Sequence, residues 1–210
     1  MIGVVVPTIA GREALLERTV AAYRQHTAEP MTLIVVRDRP TIGAAWNDGA
    51  EAAMQAGVRW LHLSADDVEP HAGWDEACIA AATHGGWPSP RILNPDGSLH
   101  SCGSMGGGML LPECADGTPC ATSPFPFLAA RYWHRVGPAL DAHYYADDHL
   151  SWRARLQGFT PVVSRGFTLT HLEGTTGRPA MVQRAMADRA RFLAAVGVES
   201  PAPREVLACA

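Results

Sequence analysis

Two pairs of adjacent carboxylates, Asp66-Asp67 and Asp147-Asp148, are the residues best suited to chemistry in this chain. The first pair closes the segment Ser64-Ala65-Asp66-Asp67, directly after the apolar run Trp60 to Leu63. Two carboxylates at the end of a buried strand are costly to leave unpaired, and they suit a divalent cation. The plainer reading is an acidic pair at a helix N-terminus, favoured by the helix dipole. Asp147-Asp148 opens a helical stretch through Leu150, Trp152 and Leu156. Capping is its plainer role, and a positioned general base is its chemical one. His171 ends a strand-like stretch before the turn Gly174-Thr175-Thr176-Gly177. A lone histidine serves either as a structural group or as an imidazole ligand.

The elements that must position these groups alternate. Ile2 to Val6 is a short β-branched run ended by Pro7, and Thr32 to Val36 and Trp60 to Leu63 are two more buried strands. Between them, Glu13 to His26 carries apolar residues at helical spacing, and Ala44 to Ala56 is an alanine-rich helix closed by Gly57. A further helix is expected over Pro70 to Thr83. This order predicts an α/β fold with a mostly parallel open sheet flanked by helices. In such sheets ligands sit beyond the carboxyl ends of the strands. Three segments fall there: Pro7-Thr8, Arg37-Asp38 and Ser64 to Asp67.

The middle of the chain changes character. Trp87 to Ser104 is rich in Pro, Gly and Ser, and Asn94-Pro95-Asp96-Gly97 is a strong turn signal. Residues 106–126 are glycine- and proline-dotted with little periodicity, which predicts either a functional lid or an irregular surface loop. Helices are expected near Phe127 to Val136 and over Asp147 to Gln157. Strands follow at Pro161 to Ser164 and Thr168 to His171, and a last helix at Ala180 to Val196. Residues 1–177 are expected to form one domain, with 178–210 as a C-terminal helix and tail.

Composition narrows the function classes. The 210 residues are 47% hydrophobic and 18% charged, enough to bury a core and too apolar for wholesale disorder. The net charge is −4, and all 17 basic residues are arginine, so broad nucleic-acid binding is not expected. No run approaches about 18 consecutive apolar residues, so no transmembrane segment is expected. No secretory leader precedes Val4 to Val6, which points to a cytoplasmic protein. Five cysteines without Cys-x-x-Cys spacing are expected to be reduced thiols. A structural metal on Cys102, Cys114, Cys120 and a histidine is the less expected alternative.

In their order these pieces resemble the family 2 glycosyltransferases with the GT-A fold. The likeness runs from Ile2 to His171. Val4-Val5-Val6-Pro7-Thr8 looks like the family's opening strand and turn, and Leu33 to Asp38 like its second strand, whose last aspartate contacts the nucleotide base. Asn47-Asp48-Gly49 is similar to the family's Asn-x-Gly, and Trp60 to Asp67 to the strand entering the Asp-x-Asp motif. Pro70 to Trp74 resembles the segment after that motif. Ile92 to Leu99 is close to a stretch of rhamnosyltransferase-like members. Tyr145 to Gly158 resembles the Glu-Asp catalytic motif and its Leu-x-x-Arg helix, through Leu150 and Arg153. Two positions depart from the pattern: Ser64 replaces the first Asp of Asp-x-Asp, and Ala146 replaces the Glu of Glu-Asp.

The resemblance implies transfer of a sugar, hexose or deoxyhexose, from a nucleotide-diphosphate donor to an acceptor hydroxyl, with inversion. The acceptor could be a glycan, a protein, a lipid carrier or a modified nucleobase. It implies Mn²⁺ or Mg²⁺ on Asp66, Asp67 and His171. The expected nucleotide-sugar contacts are Pro7, Thr8, Asp38, Asn47, Ser64 and Asp66. It assigns the base to Asp147, with Asp148 beside it. The other class is a nucleotide-sugar or carbohydrate-binding module without catalysis. A sugar nucleotidyltransferase or a Rossmann dehydrogenase would need a glycine-rich loop after the first strand; Thr8-Ile9-Ala10-Gly11-Arg12 has one glycine.

Overall fold

The apolar run at the N-terminus forms β1 (Ile2–Thr8), whose side chains alternate between two interiors. Val5 enters a core with Trp46, Leu61, Leu63 and Leu150. Ile2, Val4 and Val6 enter another with Tyr23, Trp60, Trp74, Phe127 and Leu169. A strand covered on both faces must be apolar at every position, because its side chains alternate with a period of two.

The computed structural model describes residues 1–106, 109–113, 115–172 and 179–197. After β1 come α1 (Glu13–His26), β2 (Met31–Arg37), α2 (Ile42–Gln55), β3 (Trp60–Leu63), β4 (Val68–Pro70) and α3 (Trp74–Thr83). Then follow β5 (Gly86–Leu93), β6 (Leu99–Ser101), β7 (Ser104–Gly106), β8 (Met109–Leu110) and β9 (Phe127–Ala129). The chain continues through a 3₁₀ turn (Ala130–Tyr132) to α4 (Trp133–Val136), α5 (Ala146–Leu156), β10 (Thr160–His171) and α6 (Pro179–Ala195).

One sheet has the order β2-β1-β3-β9 and a second the order β4-β10-β5-β6, with β7 and β8 forming a hairpin. The pairs β1–β2, β1–β3 and β5–β10 are parallel. The pairs at β9, β4 and β6 are antiparallel. The protein is therefore an α/β fold of open sheets flanked by helices.

Several boundaries differ from the sequence expectation. The helix expected from Pro70 begins at Trp74. Val68 to Pro70 instead pairs with Leu169 to His171, and Gly73 turns the chain at φ +83°. Phe127 to Ala129 is a strand rather than helix, because it pairs with Trp60 to His62. Pairing partners far along the chain override local propensity in both cases. The two strands expected near the end are one, β10, with a register shift between Ser164 and Thr168. The described part of 106–126 is pinned rather than free: Gly117 N–H donates to Val163 O (2.9 Å) and Cys120 N–H to Pro161 O (2.9 Å). Cys102 and Cys120 are buried beside Leu111 and Val163, and Cys78 is buried elsewhere. Cys114, Cys209 and the Gly174 to Gly177 turn lie outside the described residues.

Helix α6 holds the approach to α5. The buried Asp188 carboxylate accepts the N–H groups of His143 (2.9 Å) and Tyr144 (3.0 Å). Phe192 stacks on Tyr145 at 5.7 Å between ring centroids.

The Asn47-Asp48-Gly49 motif has two packing roles. Asn47 donates to Ala139 O (3.0 Å) and accepts from Ala139 N–H (2.7 Å), which ties α2 to the loop before α5. A Cβ on Gly49 would stand 2.2 Å from Val5 Cγ1, so the glycine is what lets α2 approach β1. Val5 is fully buried and β-branched, so it has little freedom to yield. Gly49→Ala is expected to destabilise the fold by about 1–3 kcal/mol through overpacking. At about 2–4 °C per kcal/mol for a domain this size, thermal denaturation would show a drop of several degrees. An unchanged melting temperature would show that the helix can shift without cost.

Candidate active site

Parallel pairing brings the carboxyl ends of β1 and β3 side by side. Val5 stands opposite Leu63, and Ser64 N–H donates to Val5 O at 2.9 Å. The chain leaving β3 therefore carries Asp66 up against Thr8, whose hydroxyl donates to Asp66 Oδ2 at 2.6 Å. Asp66 and Asp67 are 5% and 7% exposed, low enough that each charge needs a partner. Arg12, on the turn after β1, supplies it. Its Nε lies 3.0 Å from both oxygens of Asp66. Its Nη2 lies 2.9 Å from Asp66 Oδ1 and 2.9 Å from Asp67 Oδ2. One guanidinium thus bridges both carboxylates through a planar fork, the geometry that makes arginine strong in such pairs.

His171 reaches the same place by strand pairing. It is opposite Val68 in the β10–β4 ladder, and Leu172 N–H donates to Asp67 O at 2.7 Å. Its Nε2 is 3.4 Å from Asp67 Oδ2. His100 and Phe125 lie edge-on to the His171 ring, each at 6.2 Å between centroids. Burial lowers the pKa of His100, and His171 lowers it further. Burial also lowers that of His143, whose electrostatic neighbours include Arg184, Asp188, Arg12 and Asp67.

The other expected residues divide. Asp38 is exposed and left-handed at φ +56°, an uncommon conformation for a residue with a side chain. Its Oδ1 accepts Ala10 N–H at 3.0 Å, and its own N–H donates to Thr8 O at 2.9 Å, so it braces the turn that carries Arg12. Neighbouring Arg39 pairs with Asp48 instead. Pro7 is half-buried at the end of β1, opposite Val36. Asn47 is committed to Ala139, as described. Ser64 is fully buried and faces inward, with its Oγ 2.7 Å from Tyr23 Oη. Tyr23 Oη lies 2.8 Å from His62 Nε2, and His62 Nδ1 is 3.3 Å from Pro126 O. A carbonyl only accepts, so Nδ1 carries the proton and Nε2 accepts from Tyr23. Burial pushes the His62 imidazole down to about 3, so this chain is neutral and structural.

The second acidic pair sits at the first turn of α5, after Tyr145 in a left-handed conformation at φ +66°. Asp148 Oδ1 accepts the Thr122 hydroxyl at 2.6 Å. Burial holds Asp147 well above the usual carboxylate range, and the neighbouring Asp148 adds to this. Burial raises Asp148 as well, against the opposing pull of the Thr122 hydroxyl and Arg155. A carboxyl raised in this way is suited to taking a proton.

Sequence reasoning missed Arg12 and His100. Arg12 carries no local signal beyond ending a turn, and Asp66 and Asp67 are 54 and 55 residues away from it.

The carboxylate, carboxylate and imidazole donors of Asp66, Asp67 and His171 are the types that Mn²⁺ and Mg²⁺ accept. The bridging guanidinium shows that a cation is at home on the aspartates. Among the described residues, no group of three or more His, Cys, Asp or Glu stands ready to hold an ion as the side chains lie. Arg12 occupies these two carboxylates instead.

No protein-family model matches the sequence, and no curated protein does. In contrast, 180 chains of solved structures match the fold. One is the crystal structure of GalNAc-T7 with UDP, GalNAc and Mn²⁺, at a TM-score of 0.67 and 13% identity. The match covers 92% of this chain and 48% of that one, so the chain spans about half the length of that structure. At that identity the likeness is one of architecture: the protein has a GT-A-like α/β fold.

Proposed function

We propose that the protein is a glycosyltransferase that moves a sugar from a nucleotide-diphosphate donor to an acceptor hydroxyl. One observation carries the reading: Thr8, Asp66, Asp67, His171 and a bridging cationic side chain converge at the carboxyl ends of β1 and β3. They do so in a fold shared with a transferase structure that holds UDP, GalNAc and Mn²⁺. Asp66 and Asp67, with His171, would hold a divalent ion, which when bound neutralises the departing diphosphate as a Lewis acid. Asp38 and the turn it braces would meet the nucleoside. The acceptor oxygen attacks the anomeric carbon as its proton passes to a carboxylate at the start of α5, Asp147 in our assignment. An oxocarbenium-like centre develops as the diphosphate leaves.

The finer parts rest on the sequence resemblance: family 2 membership, a hexosyl or deoxyhexosyl donor, and inversion. So does the division into a transferase domain over 1–177 and a C-terminal segment over 178–210. Among the described residues, no helix is long and apolar enough to cross a membrane.

A second reading has its own support. Ser64 and Ala146, which replace acidic residues of the family pattern, are both buried and face the interior. A nucleotide-sugar-binding module without turnover would tolerate both. A thermal-shift panel of nucleoside diphosphates and sugar nucleotides, with and without Mn²⁺, tests the common part. A ligand at 100 times its dissociation constant is expected to add about 2.7 kcal/mol. Mn²⁺-dependent hydrolysis of the stabilising sugar nucleotide then decides for the enzyme. Binding without any hydrolysis or transfer would decide for the module.

A further inference from the structure

We infer that Arg12 exchanges partners during donor binding: it holds Asp66 and Asp67 in the resting protein and moves to the donor's diphosphate when a divalent cation takes those carboxylates. The inference deepens the proposed function and rests on it.

Three observations at the carboxylates support the exchange. The guanidinium occupies both carboxylates at once, with Nε on both oxygens of Asp66 and Nη2 on Asp66 Oδ1 and Asp67 Oδ2. Thr8 fills a further position on Asp66 Oδ2 at 2.6 Å. A small ion therefore cannot take the pair without displacing an arginine hydrogen bond. Arginine cannot escape by losing its proton, so the competition is between two cations. Asp67 Oδ2 also faces His171 Nε2 at 3.4 Å, so the atom Arg12 holds is the one nearest the third candidate ligand.

The position of Arg12 gives it somewhere to go. It precedes the first residue of α1, a helix of 14 residues, and follows Gly11 at φ +86°. The dipole of a helix start favours an anion there, and the adjoining N–H groups already serve carboxylates: Gly11 N–H donates to Glu13 Oε1 (3.3 Å) and Ala10 N–H to Asp38 Oδ1 (3.0 Å). The Arg12 side chain is 23% exposed, whereas those of Asp66 and Asp67 are 7% and 10% exposed, so the cation is the part able to swing outward. A guanidinium freed from two carboxylates beside an incoming diphosphate would take it in the same forked manner. Cation and donor would then bind as a coupled event. The aspartates are never left uncompensated, and the cation alone binds weakly.

The test measures protein-bound Mn²⁺ by equilibrium dialysis, with pyrophosphate at equal free concentration on both sides so that its own Mn²⁺ complex cancels. It compares the wild-type chain with Arg12→Gln and Arg12→Lys, with and without inorganic pyrophosphate, which carries the diphosphate chemistry without a base or sugar. Wild-type protein is expected to bind Mn²⁺ alone weakly and to gain at least about tenfold in affinity with pyrophosphate. Arg12→Gln is expected to bind Mn²⁺ alone at least about tenfold more tightly than wild type and to lose most of the gain from pyrophosphate. Its melting temperature should fall in EDTA, where two buried carboxylates lack their counter-charge, and recover with Mn²⁺. Arg12→Lys keeps one positive charge without the fork, so its Mn²⁺ affinity should also rise; it carries the test if Arg12→Gln does not fold. Unchanged or weaker Mn²⁺ binding in the folded variants would overturn the exchange and make Arg12 a structural clamp. Sugar-nucleotide turnover with no Mn²⁺ bound by any of the three proteins would also overturn it and leave the transferase reading standing. Tighter Mn²⁺ binding by Arg12→Gln in a protein that binds no nucleotide sugar would support the competition and defeat the transferase reading instead.

Discussion

Asp66→Ala is expected to reduce sugar-nucleotide turnover by at least about 10³-fold, equivalent to about 4 kcal/mol of lost transition-state stabilisation. Both the expected cation site and its support pass through this carboxylate, which Thr8 and Arg12 both hold by hydrogen bonds. Sequence alone suggests that removing one carboxylate of an acidic pair would relieve repulsion and stabilise the metal-free protein. The structure reverses that expectation. Arg12 bridges both carboxylates with its single charge, so the variant loses charge-assisted hydrogen bonds and leaves Thr8 without its acceptor. A cost of about 2–3 kcal/mol is expected, read as a lower melting temperature in EDTA. Full Mn²⁺-dependent turnover in Asp66→Ala would remove the site from this position. A raised melting temperature would show that the Arg12 bridge contributes less than the repulsion it offsets.

The second large effect concerns the base. Asp147→Asn keeps the size of the side chain but cannot take a proton, and it is expected to lower kcat by at least about 10²-fold with donor affinity nearly unchanged. Asp148→Asn should cost much less, because Asp148 is committed to the Thr122 hydroxyl. The pH profile adds an independent reading. A base acts when deprotonated, and burial raises both carboxyls, Asp147 strongly. Activity should therefore rise with pH through an apparent value above the usual carboxylate range, one that belongs to the pair. Removing the charge of Asp148 should shift this limb to lower pH, since that charge helps to hold Asp147 protonated. Stability should run the other way. The folded state binds these protons more tightly than the unfolded chain does, so this contribution is present at low pH and is lost as pH rises through the raised values. If Asp148→Asn proves the more damaging variant, the base is Asp148. If neither variant loses turnover, the base lies outside this pair.

Much of this architecture is legible in the residues themselves. The runs Ile2 to Val6, Thr32 to Val36 and Trp60 to Leu63 read as strands, and the stretches Glu13 to His26 and Ala44 to Ala56 as helices. These signals are short-range: a period of two or 3.6 is complete within one element. The rule that ligands collect beyond strand carboxyl ends then marks Thr8, Asp38 and Asp66 without knowledge of any contact. Where a pairing partner lies far along the chain, local pattern misleads. Phe127 to Ala129 has the composition of a helix start, yet it is held as a strand by Trp60 to His62. Val68 to Pro70 is drawn out of the expected helix by β10 in the same way.

For the site, the residue types alone determined which chemistry is available: carboxylates in pairs at element ends, and an imidazole at the end of the last strand. Only the tertiary structure decided who meets whom. It turned Ser64 inward to Tyr23 and committed Asn47 to Ala139, 92 residues away. It brought His171 to Asp67 through a strand ladder and laid Arg12 across both aspartates. The physical reason is that a buried charge must find a counter-charge wherever the fold offers one. That demand is met through space, where spacing along the chain carries no information.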